Sequence, residues 1–190
     1  MGRRPNTELR RRQIIEALLC EIAETGYERT STASIAARAG LAPGLIHYHF
    51  RSKEDILLAL VDELIAFAEL SSAAVMDAAP SPGAKLAAYV SARVGLGPHA
   101  DENQVKAWVA ILAEAMGLPS VRSRIKQWLT DDHALISHLF EQAGVAKHQE
   151  HASMLLASIL GSFTLHAMSL PAVPRGYAES QLLAWLESVL

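Results

Sequence analysis

Ser34-Ile35-Ala36-Ala37-Arg38-Ala39-Gly40-Leu41-Ala42-Pro43-Gly44-Leu45-Ile46-His47-Tyr48-His49-Phe50-Arg51-Ser52-Lys53-Glu54-Asp55-Ile56-Leu57 is the stretch that decides how the chain folds. A short helix runs through Ile35, Ala36, Ala37 and Ala39, with Thr32 placed to cap it and Gly40 to close it. Leu41 to Gly44 make a sharp turn, in which Pro43 suits the first turn of the helix that follows. On that helix Ile46 and Phe50 lie four apart and face inward, leaving Pro43, Gly44, Leu45, His47 and Tyr48 outward. Ser52 then reads as the cap of a longer helix, with Asp55 reaching back to it.

Upstream, Ile14, Ile15, Leu18, Leu19 and Ile22 recur at three- and four-residue intervals, so a helix is expected from Thr7 until Gly26 ends it. Three short helices in the first fifty residues, the second and third joined by a tight turn containing glycine, match a helix-turn-helix. The chemistry of that unit is geometric. One helix steadies it across the phosphate backbone, and the next lays its N-terminal end in the major groove, where donors and acceptors distinguish all four base pairs.

Charge is distributed to suit this. Residues 1–55 carry nine basic side chains against seven acidic ones, a net +2, whereas the remainder carries eight against thirteen, a net −5. The first twelve residues hold five Arg and the single Glu8, an arm that reads either as phosphate-binding or as a solvated terminus.

The whole chain has 190 residues, a formal charge of −3, 51% apolar residues and only 6% aromatic ones, which excludes a disordered tail and allows one domain or two unequal ones. A lone Cys20 closes no intramolecular disulfide, and the Arg-rich start has no apolar run like a secretory signal, so a cytoplasmic setting is expected. The 24 residues from His151 to Pro174 lack Asp, Glu, Lys and Arg. They hold Ser153, Ser158, Ser162, Thr164, His166 and Ser169, however, so a helix covered by protein is expected in place of a membrane span.

Beyond Ser52 the pattern is helical throughout, with six more helices expected at about 52–79, 82–96, 101–117, 119–143, 147–170 and 176–190. The Pro/Gly breaks at residues 79–83, Gly95-Leu96-Gly97-Pro98, Gly144 and Pro171-Ala172-Val173-Pro174 read as turns.

The run from Ser34 to Leu57, above all Tyr48-His49-Phe50-Arg51-Ser52-Lys53 set against the element Tyr-x-His-Phe-x-Ser-Lys, resembles the signature of the Tet repressor (TetR) family of one-component bacterial regulators. The detailed resemblance covers about residues 9–60; downstream only the number and length of helices match. It implies an all-α homodimer of nine helices, with a helix-turn-helix DNA-binding domain at 1–51 and a ligand-binding and dimerisation domain at 52–190. It also implies that Thr32, Tyr48, His49 and Lys53 meet phosphates and that Pro43, Gly44, Leu45 and His47 face the groove. The chain departs from the common pattern at Leu45, where the family usually has Thr, and at His47, where it usually has Tyr. Leu45 offers only apolar contact, such as with a thymine methyl, and His47 donates or accepts according to its protonation.

Taken alone, Tyr48 reads equally as a residue packed on the first helix, His49 as a brace beside Phe50, and Lys53 as a solvated cation. A cation at a helix start opposes the helix dipole, which gives Lys53 a reason to meet an external anion.

Most aromatic side chains beyond residue 55 fill space, but the family adds the expectation of an effector pocket among the central helices. Phe67, Trp108, Trp128, Phe163 and His166 are its candidate contacts, His166 reading also as a hydrogen-bonded core residue. Small residues at 157–164 and Leu182, Leu183, Leu186 and Leu190 are expected to build the dimer interface.

No cofactor is expected. His148 and His151 are three apart, but no Cys pair or HExxH pattern supports a metal, and no phosphate-cradling Gly loop, nucleophile elbow or paired-carboxylate site points to an enzyme. The expected function is a ligand-responsive transcriptional regulator, a repressor that binds a palindromic double-stranded operator as a dimer and leaves it when a small molecule binds. The alternatives are a helical small-molecule carrier or enzyme with a vestigial helix-turn-helix, and an architectural DNA-binding protein.

Overall fold

The computed structural model describes residues 3–94, 102–170, 172–174 and 176–190, the side chains of residues 3–6 and 102 aside. The described residues form nine helices: α1 (Arg3–Thr25), α2 (Thr32–Arg38), α3 (Pro43–His49), α4 (Lys53–Asp77), α5 (Pro82–Val94), α6 (Glu102–Glu114), α7 (Pro119–Gln142), α8 (His148–Ala167) and α9 (Tyr177–Val189). The all-α architecture is the one expected, and the ends agree to within a few residues. The expected turn at Gly95-Leu96-Gly97-Pro98, the start of a helix at residue 101, Pro171 and the side chains of Arg3 and Arg4 lie outside the described residues.

The chain compacts into two units. The first is Met1–Leu64 with Glu102–Ile125; the second is Ile65–Asp101 with Lys126–Leu190. In the first, α1 packs on α2, α3 and α6. The stripe of Ile14, Ile15, Leu18 and Ile22 is buried, with Ile35, Ala36, Ile46, Phe50, Ile56, Leu57, Val105 and Ile111 buried in the same unit. Apolar residues at three- and four-residue spacing on each helix supply that face. The compaction takes α6 and the start of α7 along with the reading head.

In the second unit α5 packs on α8 and α9, around a core of Leu86, Tyr89, Val90, Ile136, Phe140, Leu155, Ile159, Leu182 and Leu186. The helix expected over 147–170 stops at Ala167, short of Pro171, where Ser169 takes a left-handed backbone at φ 50°.

Candidate functional site

α2 begins in a reciprocal cap. The Ser34 N–H donates to Ser31 Oγ at 3.0 Å, and the Ser31 N–H donates to Ser34 Oγ at 3.0 Å. Ser31 is therefore the cap in place of Thr32, because Ser31 has the extended backbone a cap needs (φ −119°, ψ 158°) while Thr32 is already helical and half-buried. The turn to α3 rests on Gly40, whose φ of 65° favours glycine, and on the Leu41 N–H donating to the Ala36 carbonyl at 2.9 Å. α3 starts at Pro43 behind Ala42, which has no side chain to cap with; proline needs less of a cap because it has no N–H.

Seven residues of α3 then divide cleanly. Ile46 is 1% exposed and Phe50, just past the helix, 5%, whereas Leu45 is 43% and Tyr48 70% exposed. Pro43, Gly44 and His47 are exposed as well, so the groove-facing candidates form one outward edge.

Three cations brace this edge from behind. The Arg11 Nη1 donates to the His49 carbonyl at 2.6 Å, and its guanidinium carbon sits 4.1 Å from the Phe50 ring centroid. Arg38 joins α2 to α1, donating from Nε to Glu21 Oε1 at 2.6 Å and from Nη1 to Glu24 Oε1 at 2.9 Å. Lys53 Nζ donates to the Tyr27 and Thr30 carbonyls, both at 2.9 Å, and lies 4.0 Å from the Tyr27 ring centroid. Two of the three donors of the Lys53 ammonium thus hold the α1–α2 connection. Burial, with Glu54 next, pushes the Tyr27 hydroxyl up to about 12. At the start of α4, Ser52 Oγ accepts from the Asp55 N–H at 3.0 Å as expected, but Asp55 reaches back to the Arg51 N–H, at 3.2 Å, one residue beyond its cap.

His49 is half-buried, edge-on to Tyr48 with ring centroids 5.1 Å apart, and its Nδ1 has no hydrogen-bond partner among the described residues. Burial first, and the charges of Arg11 and Arg10 after it, hold its pKa below the usual imidazole value.

The five effector candidates are distributed over both units. Trp108 is buried in the first unit, and the other four lie in the second. Phe67 is 63% exposed on α4, Trp128 is buried on α7, and Phe163 packs against the core. His166 lines a cavity of about 280 Å³ together with Ser162, Ser169 and Tyr177. A polar cluster missed in the sequence stands in the core of this unit. Arg93 Nη2 donates to Asp132 Oδ1 at 2.8 Å, and the Tyr89 hydroxyl donates to Asp132 Oδ2 at 2.8 Å. Burial raises the Asp132 carboxyl above its ordinary value, against the pull of Arg93 and the Tyr89 hydrogen bond, and raises the Tyr89 hydroxyl too.

The outer side of α8 exposes Met154, Ala157 and Gly161. Leu182 and Leu186 are buried in their own protomer's core, which takes them out of the surface expected for a dimer; Leu190 stays exposed and Leu183 half-buried. The His151 ring packs 5.7 Å from Phe140 and 5.9 Å from Trp185. Among the described residues no group of three or more His, Cys, Asp or Glu is disposed to hold a metal, and no helix is long and apolar enough to cross a membrane.

Residues 14–60 match the model for "Bacterial regulatory proteins, tetR family". The HTH-type transcriptional regulator BetI of Escherichia coli O45:K1 is 31% identical over 169 residues, covering 84% of this chain and 82% of that protein. The BetI of Rhizobium meliloti is 32% identical over 114 residues, covering 60% of this chain and 56% of that protein. A transcriptional regulator from Saccharomonospora viridis, solved in complex with choline, superposes with a TM-score of 0.79 at 23% identity, covering 93% of this chain and 95% of the other. These relatives are regulators and not enzymes. With the helix-turn-helix in place and such identity over most of its length, the chain belongs to the tetR family of bacterial regulatory proteins and is a helix-turn-helix transcriptional regulator.

Proposed function

We propose that the chain is a homodimeric repressor of a pseudo-palindromic double-stranded operator, with residues 1–51 as the DNA-binding domain and residues 52–190 binding a small-molecule effector and the second copy. The observation that carries this reading is the outward edge of α3, where Leu45, His47 and Tyr48 stand exposed while Ile46 and Phe50 are buried. Pro43, Gly44, Leu45 and His47 read base edges, and Thr32, Tyr48, His49 and Lys53 meet phosphates, Lys53 with its one remaining donor. The small, exposed side of α8 receives its copy in the partner, Gly161 allowing close approach. Phe67, Trp108, Trp128, Phe163 and His166 belong to effector recognition. Occupation of that site favours an arrangement in which the two reading heads no longer match the operator spacing. An operator partner places the protein in the cytoplasm.

Gel-shift titration at several salt concentrations tests the roles. Lys53→Ala weakens binding to every sequence and lowers the salt slope by about one, and His47→Ala changes the preferred base at one position. Because Lys53 also holds Tyr27 and Thr30, melting of the variant is measured alongside. Unchanged binding in both variants contradicts the assignment.

A further inference from the structure

Arg93 on α5 and Asp132 on α7 have side chains only 5% and 6% exposed, deep in the second unit. Beyond its bond to Asp132, the Arg93 guanidinium carbon lies 4.9 Å from the Tyr89 ring centroid and 5.2 Å from that of Trp128. Two aromatic faces and one carboxylate are the groups with which proteins hold a quaternary ammonium, a cation that offers no N–H donor and is recognised by charge and shape. Arg93 is held in the same manner. Its Nε, buried, has no hydrogen-bond partner among the described residues, so part of its donor capacity goes unused while its charge is fully surrounded. Tyr89 donates its hydroxyl to the far oxygen of Asp132, which fixes the carboxylate whether or not a guanidinium is present. Tyr89 and Asp132 are thus held by one another as well as by the cation beside them.

We propose that Tyr89, Trp128 and Asp132 form a cation-recognition box which this chain fills with its own Arg93, so that Arg93 sets effector specificity by excluding quaternary-ammonium head groups. The inference rests on reading the second unit as the effector-binding part. A quaternary-ammonium head group finds both rings already met by a cation, and the carboxylate that would neutralise it already paired.

The test is calorimetric titration of the full chain with choline, for the wild type, Arg93→Ala, Arg93→Lys and the double variant Arg93→Ala/Asp132→Asn, with circular dichroism confirming the fold. Arg93→Ala is expected to bind choline at least about tenfold more tightly than the wild type, the scale of a desolvated cation–π contact. Arg93→Lys, which keeps a tethered cation, and the double variant, which lacks the carboxylate, are expected to behave like the wild type. If Arg93→Ala does not fold by itself, tetramethylammonium is expected to restore a cooperative melt where sodium at equal ionic strength does not. Choline binding by the wild type as tight as by Arg93→Ala, no gain in folded Arg93→Ala, or no rescue by tetramethylammonium overturns the proposal. Release of operator DNA from the wild type by a metabolite panel is scored separately. A failure there removes the effector reading itself, whereas a failure of the choline titrations removes only the assignment of Arg93.

Discussion

Arg11, half-way along α1, donates to the main-chain carbonyl of His49 at 2.6 Å, across 38 positions of sequence. That carbonyl belongs to the last turn of α3, where a helix leaves its acceptors unsatisfied. A guanidinium that also covers the Phe50 ring therefore closes the end of the reading helix and ties it to the first helix.

Replacing Arg11 with Ala removes a charged hydrogen bond and a cation–π contact, both partly buried. A loss of about 1–3 kcal/mol in stability is expected, read by urea denaturation, together with weaker binding to all operator sequences. An unchanged denaturation midpoint would show that the tie contributes nothing.

The cap of α2 gives a sharper comparison between neighbours. Ser31→Ala breaks the reciprocal pair with Ser34 and is expected to cost about 1 kcal/mol, whereas Thr32→Ala, on a residue already inside the helix, costs less. Thermal melts of the two variants decide it: a larger loss from Thr32 would restore the cap to that residue.

His49 links stability to pH. Its folded pKa is lowered, so the unfolded chain binds a proton more readily, and stability is complete above the unfolded value of about 6.5 and declines as the pH falls through it. Denaturation at about pH 8 and about pH 5 is expected to show a larger loss on acidification in the wild type than in His49→Gln. Equal losses, or a smaller one in the wild type, would mean that the ring is not held neutral by its surroundings.

The turn and the division of α3 were legible because each depends on local residues. Gly40 and Pro43 punctuate the chain, and Ile46 and Phe50 mark one side of a helix by their spacing alone. The cap was misplaced by one position because Ser31 and Thr32 are both capable caps, and only the backbone at Ser31 separates them. The sequence gives no sign that the Lys53 ammonium turns back to Tyr27 and Thr30, more than twenty residues away, because that is a consequence of packing. Arg93 and Asp132 sit 39 positions apart, and nothing in either local sequence shows that two charged residues meet in a core. Leu182 and Leu186 carried the periodicity of a buried face, but periodicity does not say whether the protomer or its partner buries it.

The central claim is that the exposed edge of α3 reads DNA in a symmetric pair. Selection of bound sites from random double-stranded DNA tests it most directly. The account predicts enrichment of an inverted repeat whose half-site centres lie about one helical turn, roughly 34–36 Å, or a multiple of it apart. Recovery of a single unpaired half-site, or of no preferred sequence at all, would contradict it.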